Sequence, residues 1–353
     1  MKEFTISNGE TWKVDPGFNL YIDVTSACNA SCAFCIAPTV GRKDGANFFG
    51  GLEYALDMTE SVNGTIQIVG GEPTISRRLP EILRLIGQRS YRRVVLNTNG
   101  SRLTPELMDL MTAAGVTYVN ISRHHYDERC NQDIMHLRPE LPNAAVVRAV
   151  DRILNADMRV RMQCNLIRGY VDSFGAMERY IEWCAAIGCN TVSFSQIFPL
   201  SLFDYQKPIE LGYTEKVQIN LRRLVADVDA SGQFKPFENA ELDNSIARAH
   251  GGGGSSSWGS YKRRYWHGPG DATVSIKVLS GYDAAGLPKE TCYDKTSDPE
   301  LQDGYLAFAV VHSDGRVTAS WDRRERILFD ADPLFVSHGT IELPMVEVGH
   351  TRG

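Results

Sequence analysis

The chain has 353 residues, 43% of them hydrophobic and 23% charged, with a formal net charge of −6. That composition is globular and long enough for one large α/β domain with an appendage, and its acidic balance excludes the basic footprint of a nucleic-acid-binding protein. No window approaches the ~18 apolar residues of a membrane span, and Met1-Lys2-Glu3-Phe4 is not a basic run leading into an apolar one, so neither a membrane anchor nor a secretory leader is expected.

Short β-rich runs alternate with helical patterns as far as residue 231. The first strand is Tyr21–Val24, followed by a cysteine-bearing loop and a helix near Gly51–Ser61. Strand Thr65–Val69 precedes a helix near Arg78–Gln88, and strand Arg93–Leu96 precedes one over Leu103–Ala114, where Leu and Met recur at helical spacing. Thr104-Pro105 opens that helix, with threonine as cap and proline in the first turn. Strand Thr117–Ile121 is followed by a helix over Ala144–Ala156. Strands Arg159–Cys164 and Thr191–Ser195 are followed by helices near Ser173–Ile187 and Thr214–Ala230. Six βα units in succession predict a parallel sheet with right-handed crossovers. In closed or partly closed sheets of this kind the chemistry lies at the C-terminal strand ends. Gly251–Ser257 is a low-complexity Gly/Ser stretch of flexible composition. Beyond it, Thr273–Leu279, Tyr305–Val311 and Val317–Trp321 read as strands, the last two joined by a hairpin turn at Ser313–Arg316. The expected division is a domain over 1–231 and a smaller α+β region over 232–353 that covers the mouth of the first.

Cys28, Cys32 and Cys35 stand in the spacing C-x3-C-x2-C directly after the first strand. Three thiolates on one short loop can ligate three irons of a [4Fe–4S] cluster and leave the fourth iron open. A structural zinc site would need a fourth ligand, and no paired C-x2-C follows. Cys130, Cys164, Cys184, Cys189 and Cys292 show no disulfide-framework spacing. Polar segments sit at the other strand ends. Gly70-Gly71-Glu72-Pro73 follows the second strand; its glycines allow close backbone approach, and Glu72 can accept hydrogen bonds from an ammonium group. Taken alone, G-G-E-P is also a common turn. Asn97-Thr98-Asn99-Gly100 ends the third strand and also fits a turn. Ser122, Arg123, His124 and His125 end the fourth, where Arg123 offers a bidentate fork for a carboxylate; a solvated loop with Asp127 as a helix cap is the plainer alternative. Asn165 ends the fifth strand, and Phe198 follows the sixth, either as a ring for a heterocycle or as a core aromatic. Two basic and aromatic clusters, Tyr261–His267 and Trp321–Arg326 with Arg323, Arg324 and Arg326, suit either an anionic ligand or solvent.

The cysteine spacing, with Phe34 before the third cysteine, and the complete G-G-E-P segment together resemble the radical S-adenosylmethionine (SAM) enzymes. The resemblance implies a partial (β/α)6 barrel with the small C-terminal region over its mouth. It also implies SAM chelating the open iron through its amino and carboxylate groups, and reductive cleavage to methionine and a 5′-deoxyadenosyl radical. It places SAM against Phe34, Gly70, Gly71, Glu72, Asn97, Asn99, Ser122, Asn165 and Phe198. The electron comes from a donor such as a flavodoxin or ferredoxin, and an oxygen-sensitive cluster with free thiols points to a reducing cytoplasm. Over residues 15–230 the plan is most similar to the GTP 3′,8-cyclase branch, whose members carry a second cluster on three C-terminal cysteines. Here Cys292 alone lies beyond Cys189, so one cluster is expected. At the fourth strand end the family has an acidic residue where this chain has Arg123-His124-His125. Those residues, with Arg323, Arg324 and Arg326, are the expected holders of an anionic small-molecule substrate. The expectation is hydrogen abstraction from the sugar of a nucleotide or nucleoside in specialised, antibiotic-type biosynthesis, with a small peptide as the second possibility. A non-catalytic Fe–S redox sensor would need none of the further strand-end residues.

Overall fold

In a computed structural model of the chain, residues 2–5, 9, 11–35, 44–62, 64–197, 212–237, 262–278, 285, 287–288, 305–319 and 327–329 are described. A hairpin of β1 (Lys2–Thr5) and β2 (Thr11–Asp23) opens the chain. There follow α1 (Phe48–Glu60), β3 (Thr65–Val69), α2 (Leu79–Gly87), β4 (Arg93–Thr98), α3 (Pro105–Ala113), β5 (Val116–Ser122), α4 (Glu128–Met135), α5 (Asn143–Asn155), β6 (Arg159–Leu166), α6 (Phe174–Ala186) and β7 (Thr191–Gln196). The strands β2, β3, β4, β5, β6 and β7 pair in that order, all parallel. This is the expected six-unit partial barrel.

One face of each strand is apolar and meets the helices. Ile66 and Ile68 of β3, Leu96 of β4, Val119 and Ile121 of β5, Met162 of β6 and Phe194 of β7 are fully or almost fully buried there. The helices answer at their own period. In α5, Val146, Ala149, Val150 and Ile153 are buried at helical spacing, so one stripe packs on the sheet. Burying each Val or Ile side chain contributes about 1.5–3 kcal/mol. Thr104 caps α3 as expected, its side chain accepting from Leu107 N–H, with Pro105 in the first turn.

Within the barrel, three elements differ most from the sequence reading. The first strand runs thirteen residues rather than four, because its N-terminal half pairs with β1. Helix α4 was not expected; Asp127 caps it by accepting from Cys130 N–H. The helix expected over 214–230 is two pieces, α7 (Tyr213–Lys216) and α8 (Leu221–Ala230). Between them the backbone is drawn to the barrel, where Arg168 N–H donates to Val217 O at 3.0 Å and the Gln218 side chain donates to Ile197 O at 3.0 Å.

The remaining strands are β8 (Lys235–Pro236), β9 (Lys262–His267), β10 (Thr273–Val278), β11 (Tyr305–Val311), β12 (Val317–Thr318) and β13 (Ile327–Phe329). They make no sheet of their own. β10 adds parallel to β7 and carries β9 and β8 outward, while β11 adds parallel to β2 and carries β12 and β13. The described strands after residue 231 therefore extend both edges of the barrel sheet. β9 falls in the first basic and aromatic cluster, read above as a ligand surface or a solvated charge run; it is a strand because Arg264 and Trp266 alternate onto α8, each contacting Asp229 (2.8 and 3.0 Å). The hairpin at Ser313–Arg316 forms as expected. Gly251–Ser257 and Trp321–Arg326, with Phe198, lie outside the described residues. Among the described residues no helix is long and apolar enough to cross a membrane.

Candidate functional site

The cysteine loop leaves the C-terminal end of β2 and is held by the protein itself. Asp44 accepts from Thr25 Oγ1 (2.6 Å) and Ser26 N (2.9 Å) at its start. Asn29 accepts from Asn99 Nδ2 (2.8 Å) and donates to Ser101 Oγ (3.0 Å), tying the loop to the end of β4. On the far side Ser31 N donates to Met135 O, at the end of α4, at 2.9 Å. The unexpected helix is thus a buttress of the loop. Cys28 is exposed, Cys32 and Cys35 are half-buried, and all three are free thiols.

The donor set fits a cluster better than a single ion. Among the described residues, the set of potential ligand atoms lying within 4.8 Å of one another is His125, Asp127 and Cys130, which belongs to the cap of α4. The three loop thiols are not such a set, and a C-x3-C-x2-C loop without a fourth ligand suits a cluster with an open iron better than a closed tetrahedral zinc site. Burial, and then the neighbouring Cys35 and Cys28, push the Cys32 thiol up to about 12. Three thiolates coexist here only against a compensating positive centre, which iron supplies.

Gly70-Gly71-Glu72-Pro73 packs directly under this loop. Gly71 N donates to Thr25 O (2.7 Å) and Glu72 N to Ala27 O (2.9 Å). A Cβ on Gly70, whose φ is +145°, would lie 2.9 Å from Thr25 O, and one on Gly71 would lie 2.2 Å from Ala27 O. Gly71→Ala should therefore displace the cysteine loop, lowering stability by about 1–3 kcal/mol and reducing iron retained per chain. Thermal unfolding and iron analysis check this; a variant with wild-type values for both would show that the close approach is unimportant.

Glu72 is 1% exposed, and its carboxylate is a hub. Oε1 accepts from Thr74 N (3.0 Å), Thr74 Oγ1 (2.6 Å) and Thr98 Oγ1 (2.6 Å), and Oε2 from Asn99 N (2.6 Å). The side chain expected to meet an ammonium ligand also braces the end of β3 against the end of β4. Asn99 in turn holds Asn29, so its side chain serves the loop.

The fourth strand end is rearranged relative to expectation. Successive side chains of a strand alternate faces, so Arg123, next to Ser122, turns away from the chamber. It is 1% exposed, donates to Leu141 O (3.3 Å) and Asn143 Oδ1, and lies over the Trp183 ring at 5.7 Å. It anchors helices and is not at the mouth. His124 returns to the inner side, its ring edge-on to Phe34 with centroids 5.0 Å apart. Its Nδ1 accepts from Asn165 N at 3.0 Å, which places its proton on Nε2. Burial, then the Arg123 charge, push His124 down to about 3, so it is a neutral donor and holds no anion by charge. His125 accepts from Asp127 N–H through Nδ1 (2.9 Å) and stacks on Tyr126. Burial lowers its pKa as well. Asp127 is the helix cap that the alternative reading named.

The sequence reading missed the inner face of the sheet. There the strands carry amides and cations: Gln67 Nε2 donates to Asn19 Oδ1 (3.5 Å), Asn97 Nδ2 to Gln67 Oε1 (3.2 Å), Asn120 Nδ2 to Asn97 Oδ1 (2.8 Å), and Arg161 Nε to Asn120 Oδ1 (3.0 Å). This belt crosses five strands, and Ser193 continues the face by pairing with Ser275 (3.2 Å). Buried polar side chains cost free energy unless they are hydrogen-bonded, and here they pair with one another across the strands. The signal was present as period-two alternation in Thr65–Val69, Val116–Ser122, Arg159–Leu166 and Thr191–Gln196. Asn97, Ser122 and Asn165 belong to this face.

Residues 22–181 match the family model described as the radical SAM superfamily, and this stretch is a radical SAM domain. The cofactors of such a domain are a [4Fe–4S] cluster and SAM, and the thiol loop fits the first. The chain is 35% identical over 187 residues to a "Probable GTP 3′,8-cyclase" of Sulfolobus acidocaldarius, covering 52% of this chain and 57% of that protein. A protein of the same description from Saccharolobus solfataricus is 27% identical over 221 residues, covering 57% of this chain and 66% of that one. The chain thus spans less than two thirds of either curated relative. Streptococcus suis SuiB bound to S-adenosylmethionine superposes with a TM-score of 0.54 at 14% identity, covering 86% of this chain and 60% of that one, a likeness of fold.

Proposed function

We propose that this chain is a radical SAM enzyme that abstracts hydrogen from an anionic small molecule, the sugar of a nucleotide or nucleoside. The observation that carries the reading is the convergence of a protein-held three-thiol loop and a polar inner face at the C-terminal ends of six parallel strands. Cys28, Cys32 and Cys35 would hold the cluster, and the cluster with SAM would supply one-electron reductive radical chemistry when reduced by a small electron carrier such as a flavodoxin or ferredoxin. The chain's own residues position. Gly70 and Gly71 bring the second strand end under the loop, and Asn97, Ser122 and Asn165 face the chamber. Neutral His124 presents Nε2–H beside Phe34.

The nucleotide or nucleoside substrate is supported by the name borne by both curated relatives. One cluster is proposed, because Cys292 alone follows Cys189, a divergence from the cyclase branch that the sequence resembles. A role in specialised, antibiotic-type biosynthesis goes with that divergence. The test is anaerobic reconstitution: about four irons per chain are expected on the single three-cysteine site, and dithionite with SAM should release 5′-deoxyadenosine. About eight irons would overturn the single-cluster reading, and no 5′-deoxyadenosine would overturn the enzyme.

A further inference from the structure

The edge strands after residue 231 bring a second set of charges to the inner face. On β9, Arg264 and Trp266 turn outward to Asp229 of α8, which leaves Arg263 and Tyr265 inward. On β10, Ser275 faces inward to Ser193, and so does Lys277 two residues on. Lys277 and Arg263 are register partners, directly opposite one another on one face of an antiparallel pair. Like charges in that position are destabilising. A third cation, Arg161 of β6, lies close enough that both arginines depress the Lys277 ammonium, which burial and these neighbours push down to about 7. Arg161 is itself lowered to about 10, by burial and then by Arg263. Arg263 holds a buried guanidinium nitrogen, one of its Nη atoms, with no hydrogen-bond partner among the described residues. Arg264, one residue away, shows how the same strand treats a cation that is structural: it is paired to a carboxylate at 2.8 Å.

We propose that Arg161, Arg263 and Lys277 form a phosphate-binding wall of the chamber, recognising the phosphoryl group of the substrate. Cations from three strands, two of them forks and one a point charge, match a group with several negative oxygens. Lys277 is level in register with Ser195 near the end of β7, while Arg161 lies nearer the start of β6, so the wall runs from the strand ends down the inner face. Two of the three residues lie outside residues 22–181, so the wall is built mainly on the edge strands, with Arg161 contributed by the domain itself. This deepens the function proposed above and moves the anion away from Arg123, His124 and His125.

The experiment titrates inorganic pyrophosphate into the reconstituted protein and follows thermal unfolding and calorimetric binding. Wild type should bind saturably. Lys277→Gln and Arg263→Gln should each lose at least ten-fold in affinity, while Lys277→Arg, which keeps the charge, should retain it. Charge removal should also leave the melting temperature of the ligand-free protein unchanged or raised, which loss of a structural cation would not do. A measurement without variants stands beside it: pyrophosphate should slow reductive methylation of Lys277 in wild type at least ten-fold, read by mass spectrometry. Absence of saturable binding, equal affinity in the charge-removing variants, or no protection of Lys277 would each overturn the wall. None of these readouts needs SAM cleavage, so a failure of 5′-deoxyadenosine release would count against the enzyme and leave the wall standing.

Discussion

Cys32→Ala should abolish iron binding and SAM cleavage while leaving the chain folded. In small zinc domains the metal supplies the folding energy, and loss of a ligand unfolds them. Here the loop is pinned by Asp44, by the Asn29–Asn99 pair and by Ser31 on the end of α4, none of which involves iron. The substitution removes one half-buried sulfur, at about 1 kcal/mol for a small cavity. Cys28→Ala and Cys35→Ala should behave alike, with 5′-deoxyadenosine release lost in each, because three thiolates are the minimum that leaves one iron open. The measurements are iron content, visible absorbance of the cluster, and the far-ultraviolet circular dichroism of the iron-free protein. Retained SAM cleavage in any one of the three variants would sink the cluster assignment. Global unfolding of the iron-free wild type would show instead that the metal holds the loop.

Much of the architecture was legible because its signals are local. The thiol spacing and the G-G-E-P segment lie on single loops, and the six strands announce themselves by short apolar runs between helical periods. What escaped notice depends on which face a residue takes. Reading the strands as short runs without their period-two alternation left Gln67, Asn120 and Arg161 unnamed, while Asn97 was singled out only as a strand-end residue. The same oversight placed Arg123, His124 and His125 together at the mouth, although a strand can present only alternate residues there. Arg123 falls on the helix side and His124 on the chamber side. Long-range partners were also out of reach: that β9 and β10 would add to β7, and β11 to β2, follows from pairing between distant segments, which no short window of sequence encodes.

Glu72→Ala should be destructive, by about 3–5 kcal/mol, rather than a clean loss of ligand affinity. Four donors converge on this one buried carboxylate: two backbone N–H groups and two hydroxyls. Each donor left unsatisfied in a buried site costs about 1–3 kcal/mol, and relaxation recovers part of the sum. The damage should travel. Asn99 N–H would lose its acceptor, and the Asn99 side chain is what holds Asn29 in the cysteine loop, so iron retention should fall together with SAM binding. Glu72→Gln separates the two roles. It keeps Oε1 as an acceptor for Thr74 and Thr98 but turns an amide donor toward Asn99 N–H, so it should cost less stability than alanine while still disturbing the loop. Denaturant unfolding, iron content and calorimetric SAM binding on both variants decide the matter. Should Glu72→Ala prove as stable and as iron-loaded as wild type, with SAM affinity alone reduced about ten-fold, the residue acts by direct contact with the ligand. In that case the hydrogen bonds to Thr74, Thr98 and Asn99 would be replaceable by water, and the brace between β3 and β4 would lie in their backbone pairing.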